Sequence, residues 1–229
     1  DVGFGKTEVA LRAAFVAAMA GKQVAVVVPT TLLCRQHYQG FKERFREFPV
    51  KVEQISRLVT QKQVKQIKEG MKDGTVDIVI GTHALLAKDV GFRDLGLLVV
   101  DEEQHFGVAH KEQLKKLKSD VHVLTLTATP IPRTLQLALS GVKEMSIIAS
   151  PPVDRLAVRT FVLPFDPVVV REALLRERFR GGQSFYVCPR VADLGNIAKR
   201  LAELVPEIKI VTAHGQMPAR DLENALGSF

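Results

Sequence analysis

The sequence predicts an α/β fold, a parallel β-sheet covered by helices on both faces. Three observations carry that reading. Short apolar runs such as VAVVV and LGLLVV alternate along the chain with longer stretches of helical period. The runs are continuous rather than alternating apolar with polar, as strands buried on two faces require. Finally, Gly5-Lys6-Thr7 opens the first helical stretch and Asp101-Glu102 closes a strand-like run, and open α/β sheets bind ligands along the edge where strands end.

The elements follow in order. A helix begins near Lys6, runs through TEVALRAAFVAAMA and stops at Gly21, a C-terminal cap. QVAVVVP is a buried strand, and TTLLCRQHYQGFKERF is a helix with Thr30 or Thr31 as its N-cap. VKVEQIS reads as a strand, QKQVKQIKEGMKDG as a helix, and VDIVIGT and LGLLVVDEE as strands. HKEQLKKLK, VHVLTLTATP and PRTLQLALSG continue the alternation. Pro151 and Pro152 interrupt it in IIASPPVDR, which suits a linker. Beyond it, LAVRTFVLP, QSFYVCP and IKIVTAHG read as strands, and VVVREALLRERFRGG and LGNIAKRLAELVP as helices. The expected organisation is a first domain over 1–150, a linker over 151–157 and a partial second domain over 158–229. The chain reads as a fragment cut at both ends.

Composition narrows the function classes. Charged residues make up 25% and hydrophobic residues 46% of 229 residues, the mix of a soluble globular protein. No apolar run approaches the roughly 18 residues that span a bilayer, so no membrane partner is expected. Cys34 and Cys188 stand far apart with no C-x-x-C spacing. A reducing cytoplasm is the expected compartment. The net charge of +7 suits a polyanionic partner, and equally a well-solvated surface.

Two short motifs carry the chemistry. Glycines let backbone N–H groups turn inward and cradle phosphate oxygens at a helix N-terminus. Gly3 and Gly5 fit that need, Lys6 would reach the outer phosphates and the Thr7 hydroxyl would ligate Mg²⁺. The first glycine of G-x-x-x-x-G-K-[ST] falls one residue ahead of Asp1, and a glycine-rich turn entering a helix would look the same in isolation. Asp101 at a strand end is placed to hold Mg²⁺, and Glu102 to orient and deprotonate a water. Thr127 and Thr129 in LTLTATPIPRT can hydrogen-bond that carboxylate cluster, with Pro130 and Pro132 shaping the turn that follows.

GFGKT, PTTLL, GTHALL, DEEQHFG, TATPIPRT and HGQM occur in that order and resemble motifs of the superfamily 2 helicases and translocases. DEEQHFGVAHKEQLK and SGVKEMSIIASPPVDRLAVRTFV resemble more narrowly the family of bacterial transcription-repair coupling factors. The RecG-type branch-migration translocases share TATPIPRT and are the nearest rival. The resemblance implies a RecA-like P-loop domain followed by a truncated second RecA-like lobe, with ATP and Mg²⁺ as cofactors. It implies double-stranded DNA as partner, RNA polymerase contacted through regions outside this chain, and a monomeric motor. It assigns Gly3, Phe4, Gly5, Lys6, Thr7 and Glu8 to nucleotide, Asp101 and Glu102 to metal and water, and Gln104 to a relay. Thr127 and Thr129 would couple hydrolysis to DNA. Thr30, Thr31, Gly81, Thr82, His83, Arg133, and His214, Gly215, Gln216 and Met217 would lie along the DNA track. The second lobe ends before the late arginine-bearing motifs, so these 229 residues alone are expected to hydrolyse ATP poorly.

A P-loop ATPase without a nucleic-acid partner shares Lys6 and Asp101 but does not require PTTLL, GTHALL or TATPIPRT. A non-catalytic module that keeps the fold is a third reading, against which Lys6, Thr7, Asp101 and Glu102 stand. His105 and His110 lack a third ligand at useful spacing, so no metal site is expected there. His37 and His122 read as surface or strand residues, and the lysine-rich KEQLKKLKSD as a solvated helix face. Phe15, Phe41, Phe45 and Phe48 read as packing residues, which leaves no stacking platform for single strands and favours contact with duplex phosphates.

Overall fold

The structure, a computed structural model, describes residues 3–57, 59–87, 89–102, 121–128, 144–152 and 158–229. The chain divides into two units, Asp1–Leu156 and Ala157–Phe229. The first is a five-stranded parallel sheet: β1 (Gln23–Val27), β2 (Val52–Ile55), β3 (Ile78–Gly81), β4 (Leu95–Asp101) and β5 (His122–Leu126), in the order β2-β3-β1-β4-β5. β1 is central, and all five of its residues are buried.

Period-two alternation divides the apolar side chains of β1 between two cores. Val24 and Val26, with Val28 just past the strand, meet Ile78, Ile80 and Val99 beneath α1 (Lys6–Met19) and α2 (Thr31–Arg44). Ala25 and Val27 join Val79, Leu98 and Val100 on the other side, under Ile67 and Met71 of α3 (Gln61–Asp73). The expected helix-covered parallel sheet is therefore present, with an apolar core on each face. Phe41 and Phe45 are buried, Phe15 stacks on Phe45 and Phe48 meets Phe15 edge-on, so these rings pack as expected.

Local signals set the helix ends. After α1, the Gly21 and Lys22 amides donate to the Ala18 and Ala17 carbonyls at 2.9 and 3.0 Å, and Gly21 takes φ 76°. That pair of bonds is a Schellman stop, and it places the cap where the sequence put it. Thr30, rather than Thr31, caps α2: its hydroxyl accepts the Leu33 amide at 3.2 Å. Thr60 and Gln63 form a reciprocal capping box on α3, which ends at Gly74 in the left-handed region.

Gln23 ties the entry ends of the strands together. Its amide nitrogen donates to the Met71 and Val76 carbonyls at 2.9 and 2.8 Å, and its oxygen accepts the Arg93 and Asp94 amides at 2.8 and 3.0 Å. A buried carboxamide can make four such bonds, and this one makes all four.

The second unit contains α4 (Pro167–Phe179), α5 (Leu194–Leu204) and α6 (Ala219–Gly227), with Asp166 capping α4 through the Val168 amide. Arg171 of α4 clasps Glu207 and the Leu204 carbonyl, joining α4 to the end of α5. The expected strands in this unit are a correction. Residues 158–165, 183–189 and 209–214 form neither helix nor strand, and Phe161, Val162 and Val187 are largely exposed. A strand needs a partner to accept its hydrogen bonds, and apolar sequence does not supply one.

The sequence expectations for 103–120, 129–143 and 153–157, the lysine-rich stretch included, lie outside the described residues. No described helix is long and apolar enough to cross a membrane.

Candidate active site

In a parallel sheet every strand ends at the same edge, so the segments after β1, β3, β4 and β5 share one rim. Thr30 and Thr31 follow β1, Gly81 and Thr82 close β3, Asp101 and Glu102 close β4, and Thr127 follows β5. The sequence brings α1 to this rim as well. Lys6 Nζ donates to Glu102 Oε1 at 2.9 Å, across 96 residues of chain, with about a fifth of each side chain exposed.

The loop before α1 has the backbone a phosphate cradle requires. Gly3 and Gly5 take φ 82° and 87°, and Gly5 starts the helix with no side-chain cap. A side chain at either glycine would be strained in that left-handed region. The first-turn amides of a helix have no intrahelical acceptor and sit at the positive end of its dipole. Thr7 lies exposed in that first turn and Phe4 is half-buried beside it.

Asp101 is buried, and its Oδ2 lies 3.0 Å from His37 Nε2. Glu102 turns away from the strand direction with φ 53°, and its amide donates to the Leu126 carbonyl at 2.9 Å. A non-glycine residue in that region costs about 1–2 kcal/mol. The turn sends two consecutive carboxylates to different partners, Asp101 to α2 and Glu102 to α1.

Glu8, in the same first turn, also has partners. It bonds Arg12 at 2.9 Å and Arg44 at 2.6 Å, and the Arg12 hydrogen bond, with both guanidinium charges behind it, holds its carboxyl below the usual carboxylate range. Glu8 thus braces α1 against α2. Gly81 has a packing reason to be glycine: an added Cβ would stand 2.5 Å from Leu85 Cγ and 2.8 Å from the Ile55 carbonyl oxygen. Thr82 is buried and His83 exposed. In the second unit, His214, Gly215, Gln216 and Met217 form a turn closed by the Met217 amide on the His214 carbonyl at 3.1 Å. Gln104, His105, His110, Thr129 and Arg133 lie outside the described residues.

His37 is the residue the sequence reading missed. It is neither surface nor strand but buried on the inner face of α2 with Cys34 and Phe41. Its spacing three residues from one and four from the other marked it as inward-facing, and a polar group facing a core needs a partner. His122 opens β5 and is exposed.

The profile of the family described as DEAD/DEAH box helicase matches residues 1–138, more than half of the chain. The chain belongs to the DEAD/DEAH box helicase family. Within it, the chain is 57% identical over 229 residues to the transcription-repair-coupling factor of Escherichia coli (strain K12), and 52% identical to that of Bacillus subtilis (strain 168). Each alignment takes in 100% of this chain and 20% of the relative, so the chain spans about a fifth of the curated relatives it matches. Among solved structures, RecG bound to a three-way DNA junction is 37% identical with a TM-score of 0.69, covering 89% of this chain and 27% of that one. S. cerevisiae Dbp5 bound to RNA and ADP BeF3 aligns over 99% of this chain and 60% of its own, with a TM-score of 0.62. At 16% identity Dbp5 shows the shared RecA-like fold alone. The resemblance to the coupling factors drawn from the motifs holds in these helicase relatives.

Proposed function

We propose that this chain is part of the ATP-driven motor of a transcription-repair coupling factor, a cytoplasmic double-stranded DNA translocase that displaces stalled RNA polymerase through regions outside these residues. The observation that carries the reading is the Lys6–Glu102 contact, which joins a glycine-hinged helix start to the carboxylate pair ending β4. Full-chain identity to named coupling factors supports the family assignment over the RecG type, and the net charge of +7 suits a DNA partner.

The residues present fit Mg²⁺–ATP. The rim offers an ammonium, a helix N-terminus with two left-handed glycines and a buried carboxylate, and among the described residues no cluster of three or more His, Cys, Asp or Glu forms a metal cage. Mg²⁺ commonly binds one or two carboxylates together with phosphate and water, so a single aspartate suits it. When bound, the nucleotide supplies the phosphoanhydride and the cation its charge neutralisation.

In this reading Gly3, Phe4, Gly5 and Glu8 belong to the nucleotide cradle, and Lys6 would hold phosphate oxygen. Thr7 and Asp101 would hold the metal. Glu102 would orient the attacking water and accept its proton, and Gln104 would relay between the ATP site and the second lobe. Thr127 and Thr129 couple the site to DNA; Thr30, Thr31, Gly81, Thr82, His83 and Arg133 in the first unit, and residues 214–217 in the second, are the further DNA contacts. Residues 1–150 form the first RecA-like lobe, 151–157 the linker and 158–229 part of the second.

In the full-length protein, Glu102→Gln keeps nucleotide binding and lowers turnover by about 10²–10⁴-fold, the usual contribution of a general base. Lys6→Ala loses binding. Duplex DNA stimulates the wild-type ATPase with a steep salt dependence. Normal turnover by Glu102→Gln would overturn the base assignment, and indifference to DNA would favour a P-loop ATPase without a nucleic-acid partner.

A further inference from the structure

We propose that His37 is a positioning residue for the metal-binding carboxylate, its Nε2–H fixing Oδ2 of Asp101 so that Oδ1 is the oxygen left for the cation. The proposal rests on the reading of Asp101 as a Mg²⁺ ligand.

The geometry singles out one arrangement. His37 is 7% exposed and contacts Asp101 across 64 residues of chain, from the second turn of α2 to the last residue of β4. An ionised carboxylate only accepts hydrogen bonds, so Nε2 must be the donor. Nδ1 is buried and has no hydrogen-bond partner among the described residues. A hydrogen on Nδ1 would be an orphaned buried donor, so the geometry places the donor on Nε2. The ring is held from the next turn by Phe41, fully buried, whose centroid lies 6.3 Å away at an interplanar angle of 66°. A rigid donor on a rigid helix therefore fixes the carboxylate's rotation. A partner in this outer position typically changes metal affinity by about 10–100-fold.

Two substitutions separate positioning from packing. His37→Leu keeps an apolar body and removes the donor, whereas Gln in His37→Gln carries an amide nitrogen at similar reach. Mn²⁺ titrated into the full-length protein with ADP, followed by electron paramagnetic resonance, reads metal affinity without turnover. His37→Leu should weaken Mn²⁺ binding by about tenfold or more and raise the Mg²⁺ needed for half-maximal ATPase to match, with metal-free nucleotide binding unchanged. His37→Gln should recover most of the loss. Wild-type Mn²⁺ affinity in a folded His37→Leu protein would overturn the proposal and leave the ATPase reading intact. Failure of the wild-type protein to bind Mn²⁺ with ADP would remove both. Should His37→Leu not fold, long-range ¹H–¹⁵N correlation of the wild-type imidazole decides: the Nε2–H pattern is expected, and an Nδ1–H tautomer would overturn the proposal.

Discussion

The two units use the same kinds of sequence with opposite results. In the first, apolar runs become paired strands, and Val27 and Leu98 are fully buried between helices. In the second, runs of similar composition stay unpaired, and Val162 and Val187 are 94% and 86% exposed. The helices do not differ in this way: α2 and α4 each start at a side-chain cap. A helix closes its hydrogen bonds within a few residues, whereas a strand borrows its partner from far along the chain. Stability should therefore concentrate where the borrowing has succeeded.

The sharpest test compares the two cysteines. Cys34 is completely buried in the first unit, where burial pushes its thiol from an ordinary 9.0 up to about 12, while Cys188 in the second is half-buried. At pH 8 an alkylating reagent should modify Cys188 readily and Cys34 at least ~10³-fold more slowly, since Cys34 reacts only through unfolding, against a stability of at least about 5 kcal/mol. Equal rates would mean that the first unit opens as easily as the second. The raised folded value also sets a sign. The unfolded thiol ionises near pH 9.0 while the folded one stays protonated, so this contribution is present below pH 9.0 and is lost as pH rises toward about 12. Cys34→Ala should flatten that alkaline fall in urea midpoints.

Truncation gives the next largest effect. Leu98→Ala should destabilise the first unit by about 2–5 kcal/mol, and Val187→Ala should change stability by no more than about 0.5 kcal/mol. Denaturant unfolding of both variants checks this, and a comparable loss at Val187 would mean that its segment is packed after all.

The smallest effect probes the local signals. Thr60→Ala removes the capping box of α3 and should cost about 1 kcal/mol in the same measurement. A loss several times larger would show that the Thr60 side chain does more than cap.

The site was legible unevenly. Gly5-Lys6-Thr7 and Asp101-Glu102 were readable because each is a contiguous motif with a chemical rationale, and Lys6 and Glu102 do meet. Glu8 sits inside the same motif, and its bond to Arg44 is one that no local pattern indicates. His37 was read as surface or strand because histidine is mostly half-exposed, and only its helical phase with Cys34 and Phe41 hinted otherwise. No spacing rule connects it to Asp101.

By itself the sequence determined the local structure: where α1 stops at Gly21, where α2 and α3 begin at threonine caps, and which runs are apolar enough to be strands. These depend on forces acting within about one helical turn. The tertiary structure alone decided which runs found partners, that β1 lies between β3 and β4, that Gln23 satisfies four distant backbone groups, and that Asp101 and Glu102 turn to different helices. Hydrogen bonds and ion pairs between distant segments form only after the chain has closed long loops, and which closures succeed depends on burying both faces of the sheet together.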